Sequence, residues 1–399
     1  MKLKPWHVFA AALALRLAFV LAVPQRPVYA DAVDYDTIGW NLASGGGFSM
    51  VPGVPSVKRP PLYPAALAAV YKAAGHSYPA ARAVQALMGA FTCLFLFLAA
   101  RELFGRRAAL AAAVICAVHP VMIAYSGLLL NEEMFTCLMA CSMWLFLLWR
   151  RRRGTGLLAV FALAAAAATL TKPTLVLMPV LLFAAEAWYS RDLRGTLKAA
   201  ALAAAVFCAA LVPWSVRNYR AFGKVIPFAG QHGPVFFLTM AKGGPSEANT
   251  AYIEKLTAGL DETAADAALQ RELEAELARP LACAVNVIKS ARFLPRFWIT
   301  SHSSVFGVDR PNAEYRAAGE WGKLAFKGLL LALQLALLAA CACGIWRVRS
   351  VPGALFFVVP LFYFSLHFNG VPRYHVPVMP YMFAFAALCL TGLEAEKEA

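Results

Sequence analysis

Charge is what this sequence has least of. Only 15% of its 399 residues are Asp, Glu, Lys or Arg, and acids are scarcer than bases, 22 against 37. Hydrophobic residues make up 61%, and the mean hydropathy is +0.61. Those values exclude an ordinary water-soluble domain and leave a polytopic membrane protein. A cysteine framework is also missing. Of the 9 Cys residues, most fall inside apolar runs (Cys93, Cys116, Cys137, Cys141, Cys208, Cys341, Cys343, Cys389) without metal-site or disulfide spacing, so they read as small packing residues. No repeat of fixed period is present, which removes support for the inverted-repeat layout of many transporters. A net charge of +15 in a soluble chain would point to nucleic acid. Here the bases sit in short clusters between apolar runs, where membrane topology explains them and no nucleic-acid partner is expected.

A bilayer core needs about 20 apolar residues per helix. Runs at 6–23, 83–100, 108–125, 132–149, 155–171, 174–189, 198–215, 324–346, 352–368 and 374–392 qualify, so about ten spans are expected. The first run, after "MKLKPW", is too long for a signal-peptide core, contains Arg16 and lacks a small-residue cleavage site before Pro24, which predicts an uncleaved helix. Lys and Arg mark cytoplasmic loops. "RELFGRR", "RRRR" at 150–153, "SRDLRG" and "WRVRS" all fall on the side of the N-terminus, so residues 24–82 and 216–323 face outward. The expected domain organisation is one membrane domain over 1–392 and a cytoplasmic tail over 393–399, in a bacterial inner membrane with the two loops on the periplasmic side.

In the longer loop, "SEANTAYIEKLTAGLDETAADAALQRELEAELARP" predicts one or two polar surface helices beginning at a Ser246 cap and ending at Pro280. Residues 281–299, interrupted by Lys289, Arg292 and Arg296, suit a helix lying in the interface.

Three scarce acids, Asp31, Asp34 and Asp36, cluster in "DAVDYD" right after the first span. Most loop acids are solvated surface charges. These lie within a turn or two of the membrane. Asp31 and Asp34 share one face of a helix, and they precede "YDTIGWNLASGGGF", a short helix closed by glycines. Such a carboxylate can act as a general base toward a hydroxyl or hold a divalent cation. Downstream, "VKRPPLYPAAL" puts Arg59 before a double proline that stiffens the loop. Acid opposite guanidinium suits a phosphorylated ligand.

Lys172 in "LTKPTL", Arg217 in "PWSVRNYRAFGK" and Arg373 in "GVPRYHVPVMP" stand at outward helix ends. Snorkelling to headgroups is the commoner fate of such residues, yet several converging on one cavity form an anion site. Glu132 and Glu133 in "SGLLLNEEMF" suit a helix start, or orient one of those bases. His232 and His375 have no companion ligand at i+3 or i+4 and read as ordinary interfacial histidines.

In this order, the acid cluster, "RPPLYP", "SGLLLNEEMF", "LTKPTL", "PWSVRNYRAFGKVIPFAGQHG" and "RYHVPVMP" resemble the multi-span GT-C glycosyltransferases that use lipid-linked sugars, among them the protein O-mannosyltransferases and lipid A aminoarabinose transferases. The resemblance runs from about residue 1 to 392. It implies an all-α GT-C-like bundle with short helices in two outer loops, and a catalytic carboxylate four positions before an aromatic. That places Asp31 ahead of Tyr35, with Asp34 the alternative because Ala32 stands where a second acid often follows. It further implies that Arg59 contacts the donor phosphate and that Arg373 and Tyr374 match the family's "RY". The chain departs in having fewer spans than the aminoarabinose transferases and no sizeable C-terminal soluble domain, which leaves the acceptor open.

Nucleotide sugars are cytoplasmic, so an outward-facing transferase needs a donor carried across the membrane, as a polyprenyl-phosphate sugar is. Arg59, Lys172, Arg217 and Arg373 would hold its phosphate. Asp31 would take the proton of an acceptor hydroxyl on a lipid, glycan or protein, with inversion at the sugar and with Tyr35 and Glu132 in support. No particular cofactor is implied, and a divalent metal stays open. The rival class is a transporter or lipid flippase, but such proteins place ionisable residues at mid-membrane, where these spans are Ala and Leu.

Overall fold

The computed structural model describes residues 4–22, 30–230, 232–244, 246–365 and 372–391. The expected tail and residues 24–29 lie outside them, as does the side chain of His232. Helix α1 (Pro5–Ala22) leads through α2 (Ala30–Ala43), a hairpin of β1 (Ser49–Val51) and β2 (Val54–Pro55), and α3 (Leu62–Ala74) into α4 (Tyr78–Val118). After α5 (Pro120–Tyr125) come α6 (Glu132–Arg152), α7 (Thr155–Thr171), α8 (Met178–Ser190) and α9 (Leu193–Phe222). A second non-spanning segment carries α10 (His232–Ala241), α11 (Glu247–Thr257), α12 (Glu262–Leu277), α13 (Pro280–Ser290), α14 (Leu294–Trp298) and α15 (Asn312–Ala317). The chain finishes with α16 (Trp321–Arg347), α17 (Leu355–Ser365) and α18 (Met379–Thr391). The fold is an all-α polytopic bundle, and the two short strands are the only sheet among the described residues.

Among the described residues, seven helical segments are long and apolar enough to cross a membrane, where the sequence predicts about ten runs. Thr155–Thr171 and Pro352–Ser365 are apolar but shorter. The run 83–100 and most of 108–125 fall in the 41-residue α4, the rest of the second run forming α5, and Gly105 interrupts α4 at φ 78, ψ 174, a region that glycine enters without steric cost. Arg16 lies against Gly89 and also donates to the Cys116 carbonyl, although a straight helix would separate those two residues by roughly 40 Å at 1.5 Å per residue. The chain therefore turns back at Gly105, and α4 is two packed arms.

Small residues set the packing distance. Ala108, Ala109, Ala112 and Ala113 are buried along one arm, and a Cβ at Gly344 of α16 would lie 3.0 Å from Cα of Phe385 in α18. Without a hydrophobic drive between spans, such close backbone approach supplies much of the association. The buried Arg16 of α1 donates to the carbonyls of Ala117 (3.2 Å) and Cys116 (3.3 Å) at the free end of the second α4 arm, groups with no intrahelical donor.

The bundle has two unlike ends. At one, Arg150 and Arg153 both pair with Glu186, Arg151 pairs with Glu102 at 3.3 Å, and Trp188 and Arg349 line a shared groove, so the four basic clusters meet there. At the other, the two long loops meet. Cap signals in the second loop hold: Ser246 Oγ accepts from the amide of Asn249 at 3.2 Å. The stretch 281–299 is not one helix, because Pro295 starts a new one, α14, after a 3-10 turn.

Candidate active site

Helix α2 begins at Ala30, five residues before Tyr35, so Asp31 stands in its first turn, where a negative charge complements the helix dipole. The buried Tyr35 packs edge-on to Tyr63 of α3, with ring centroids 5.0 Å apart. Gly39 lets α2 close on α3, since a Cβ there would lie 2.9 Å from that of Leu67. Gly45 (φ 91) and Gly47 (φ 78) then turn the chain into the β-hairpin. These constraints fix the face of α2 that carries Asp31 and Asp34.

Both acids meet Arg59. Its Nη2 donates to Asp31 Oδ1 and, at 2.6 Å, to Asp34 Oδ2, while its Nε donates to Asp34 Oδ2 at 3.0 Å. Lys58 Nζ donates to Asp34 Oδ1 at 3.1 Å. The second oxygen of Asp31 accepts from Arg373 Nη1. Arg373 Nε lies 4.0 Å from Glu132 Oε1, which accepts from Lys172 Nζ at 2.9 Å. Lys172 sits 4.2 Å from the ring centroid of Tyr374 and Arg59 5.3 Å from that of Tyr35. Residues distant in sequence thus form one network running from Lys58 to Lys172, with four cations facing three carboxylates.

The network is layered. Side-chain exposure falls from 42% at Lys58 and 32% at Arg373 through 19% at Asp31 to 8% at Lys172 and 1% at Glu132, so Asp31 stands at the mouth and the Lys172–Glu132 pair forms the floor. Asn131 helps to set that floor by donating to the Thr171 carbonyl at 2.8 Å. Glu132 Oε2 and Arg373 Nε have no hydrogen-bond partner among the described residues. Burial alone would raise the pKa of Asp31, but the adjoining Arg373 and Arg59 outweigh it and hold the carboxyl down at about 2.

Other predicted residues stand elsewhere. Arg217 donates to the carbonyls of Ser56 (2.8 Å) and Phe48 (2.9 Å) and to Asn218 Oδ1 (2.9 Å), and so holds the first loop from behind. Asp36 is an anchor: it accepts from Tyr71 (2.6 Å) and Tyr78 (3.0 Å) and bonds His76 Nε2 (2.8 Å). His375, read as interfacial, is fully buried and bonds His302 at 3.2 Å. Burial and the facing imidazoles of His375 and His119 keep His302 neutral. Sequence reasoning missed Lys58, Asn131 and His302. Lys58 carries a legible signal, a base adjoining Arg59, whereas His302 has no local one.

A divalent cation does not fit these residues. Both oxygens of Asp31 and both of Asp34 already accept from guanidinium or ammonium groups, and among the described residues no group of three or more His, Cys, Asp or Glu is arranged to hold a metal.

Residues 58–216, from Lys58 into α9 and ending just before Arg217, match the dolichyl-phosphate-mannose-protein mannosyltransferase family. The fold is that of the archaeal oligosaccharyltransferase AglB from Archaeoglobus fulgidus, solved with an inhibitory peptide and a dolichol-phosphate: TM-score 0.56, 15% identity, covering 97% of this chain and 50% of that one. Its apo form aligns with TM-score 0.54 at 15% identity over 98% and 50%. The chain therefore spans about half the length of AglB. ArnT from Cupriavidus metallidurans, bound to undecaprenyl phosphate, aligns at 18% identity over 96% of this chain and 77% of its own, with TM-score 0.47. No curated protein sequence matches. The family match covers less than half of the chain, and the likeness to AglB is one of fold.

Proposed function

We propose that the protein transfers a sugar from a polyprenyl-phosphate donor to an acceptor hydroxyl on the outer face of a bacterial inner membrane, with Asp31 as general base and inversion at the anomeric carbon. The observation that carries this reading is the suspension of Asp31 between Arg59 and Arg373 at the open mouth of the cation network.

The acceptor oxygen attacks the anomeric carbon, and the carbon–oxygen bond to phosphate breaks with its electron pair going to the phosphate. The hydroxyl proton passes to Asp31. A phosphodiester monoanion thereby leaves as a phosphomonoester dianion, and the added charge develops where Arg59, Arg373 and Lys172 converge. One displacement inverts the sugar. A carboxyl held at about 2 is a weak base at neutral pH, and proton transfer is most effective when the catalytic pKa lies near the working pH. The donor phosphate requires the same two guanidiniums. Drawing them from Asp31 removes what depresses its pKa and leaves the burial that raises it, so the donor activates the base that consumes it.

Asp31 is favoured over Asp34 because Asp34 keeps Lys58 when Arg59 turns to a phosphate. The test is transfer of radiolabel from polyprenyl-phosphate sugars to envelope extract by the purified wild type, Asp31→Asn and Asp34→Asn. Transfer by the wild type that fails with Asp31→Asn is expected. Equal transfer by wild type and Asp31→Asn refutes the base, and transfer lost only with Asp34→Asn moves it to Asp34. Lipid movement without sugar transfer would identify a flippase.

A further inference from the structure

The segment just before Arg59 is held in an unusual way. Ser56 and Val57 are 1% and 0% exposed, and their polar groups are taken up by residues far away in the chain. The Ser56 amide bonds the Phe48 carbonyl at 3.0 Å within the hairpin. Its carbonyl accepts from Arg217 at 2.8 Å, and Arg217 also holds Phe48. The Val57 carbonyl accepts from the Gly230 amide at 2.9 Å. From the second loop, the carboxylate of Glu262 accepts from Ser56 Oγ at 2.7 Å and from the Val57 amide at 2.7 Å. Ser56 Oγ in turn accepts from the Lys58 amide at 3.1 Å. On the far side of Arg59, Pro60 and Pro61 restrict the backbone.

From this geometry we infer that Glu262 and Arg217 are positioning residues: they grip the Ser56–Val57 segment from the second loop and from α9, and so fix the reach of Lys58 and Arg59 toward Asp31 and Asp34. Buried backbone groups need partners in any protein, and solvent or a short-range turn would meet that need. Here the partner is a carboxylate in the first turn of α12, capped by Asp261, and it attracts Arg217. The two outer loops are thus joined at the residues that present the phosphate-binding guanidinium. The second loop contributes to donor affinity without touching the donor, and Arg217 acts through the backbone instead of contacting the phosphate.

This inference rests on the proposed function, and the test separates the two. Binding of polyprenyl phosphate, the product without sugar, is measured for the wild type, Glu262→Ala, Glu262→Gln, Ser56→Ala and Glu272→Ala, together with each thermal midpoint. Glu272 belongs to the same loop but pairs with Lys242. Hydrogen bonds to a charged group contribute enough that Glu262→Ala should weaken binding about tenfold to a hundredfold. Glu262→Gln, which keeps one acceptor oxygen, should fall between. Ser56→Ala should weaken binding less, and combined with Glu262→Ala it should add less than its separate effect. Glu272→Ala should bind as the wild type does. A wild type that does not bind polyprenyl phosphate overturns the proposed function, and this inference with it. A wild type that binds, with Glu262→Ala and Ser56→Ala equal to it, overturns the inference alone. So does Glu272→Ala weakening binding as much as Glu262→Ala, because that would be general loosening of the loop.

Discussion

Replacing Asp31 by Asn keeps the shape of the side chain and removes its charge and its basicity, and on the proposed mechanism these two losses act in opposite directions. Loss of a general base should lower kcat by about a hundredfold to ten-thousandfold. Loss of the resident anion should leave Arg59 and Arg373 free for phosphate. Burial opposes the lowering of the Asp31 pKa from 3.8 to about 2, so the attraction of its two cations is worth at least about 2.5 kcal/mol at 1.36 kcal/mol per unit. Donor-product affinity should therefore stay level or tighten. The assay pairs single-turnover transfer from a radiolabelled polyprenyl-phosphate sugar with equilibrium binding of polyprenyl phosphate to the same preparation. Transfer within threefold of the wild type would refute the base. Binding that weakens in step with transfer would refute the competition and make Asp31 a support for the cation cluster instead.

Asp31 should also shape acid stability: its folded pKa lies below its unfolded one, so its contribution of about 2.5 kcal/mol is present above about pH 4 and lost as pH falls toward 2. Asp31→Asn should be flatter than the wild type across that window in thermal melts. At the floor of the site, Lys172→Met strands the buried Glu132, and stability should drop by about 3–5 kcal/mol. The double variant with Glu132→Gln should recover most of that loss, and a double variant no more stable than Lys172→Met would contradict the pairing. Gly344→Ala drives a Cβ into the Phe385 backbone of α18 and should cost about 1–3 kcal/mol. Gly328→Ala in the same helix, where nothing lies within 4 Å, should hold or raise the melting midpoint, because alanine favours the helix over glycine.

The parts of this site that could be read from sequence are those where scarcity carries information. Three acids beside a membrane, a base before a double proline and bases at helix ends where the charge rule makes them scarce are improbable enough to mark Asp31, Arg59, Lys172 and Arg373, and these residues do meet in one network. The i, i+3 spacing put Asp31 and Asp34 on one face because helical geometry is local. Arg217 looked like its neighbours by the same criterion, but which atoms a guanidinium reaches depends on tertiary placement, and its donors point to the Ser56 and Phe48 carbonyls. Glu262 was illegible for a different reason. It is one of many acids on a polar surface helix, and its partners at Ser56 and Val57 lie about two hundred positions upstream. Periodicity likewise recognised two apolar runs around "RELFGRR". The turn between them falls on the single residue Gly105, so the count of separate helices depends on a backbone angle and not on composition.

The balance of formal charge gives a reason for keeping a base clamped at rest. A cluster able to stabilise a phosphate dianion is self-repelling when empty, and like charges packed in a low-dielectric site are costly. With Lys58, Arg59, Lys172 and Arg373 facing Asp31, Asp34 and Glu132, the resting network carries a single excess positive charge. On the proposed mechanism a bound phosphodiester monoanion cancels it. When transfer occurs, the phosphate gains one negative charge as Asp31 is neutralised by the acceptor proton, so the site remains balanced across the reaction. A carboxylate is suited to this in a way that a histidine base is not. It is the anion that holds the guanidiniums together before the donor arrives, and it gives up that charge in the step in which the leaving phosphate takes it on. The order of events follows from the same balance: the donor enters first and displaces Asp31 from its cations, and only then is there a base for the acceptor to meet.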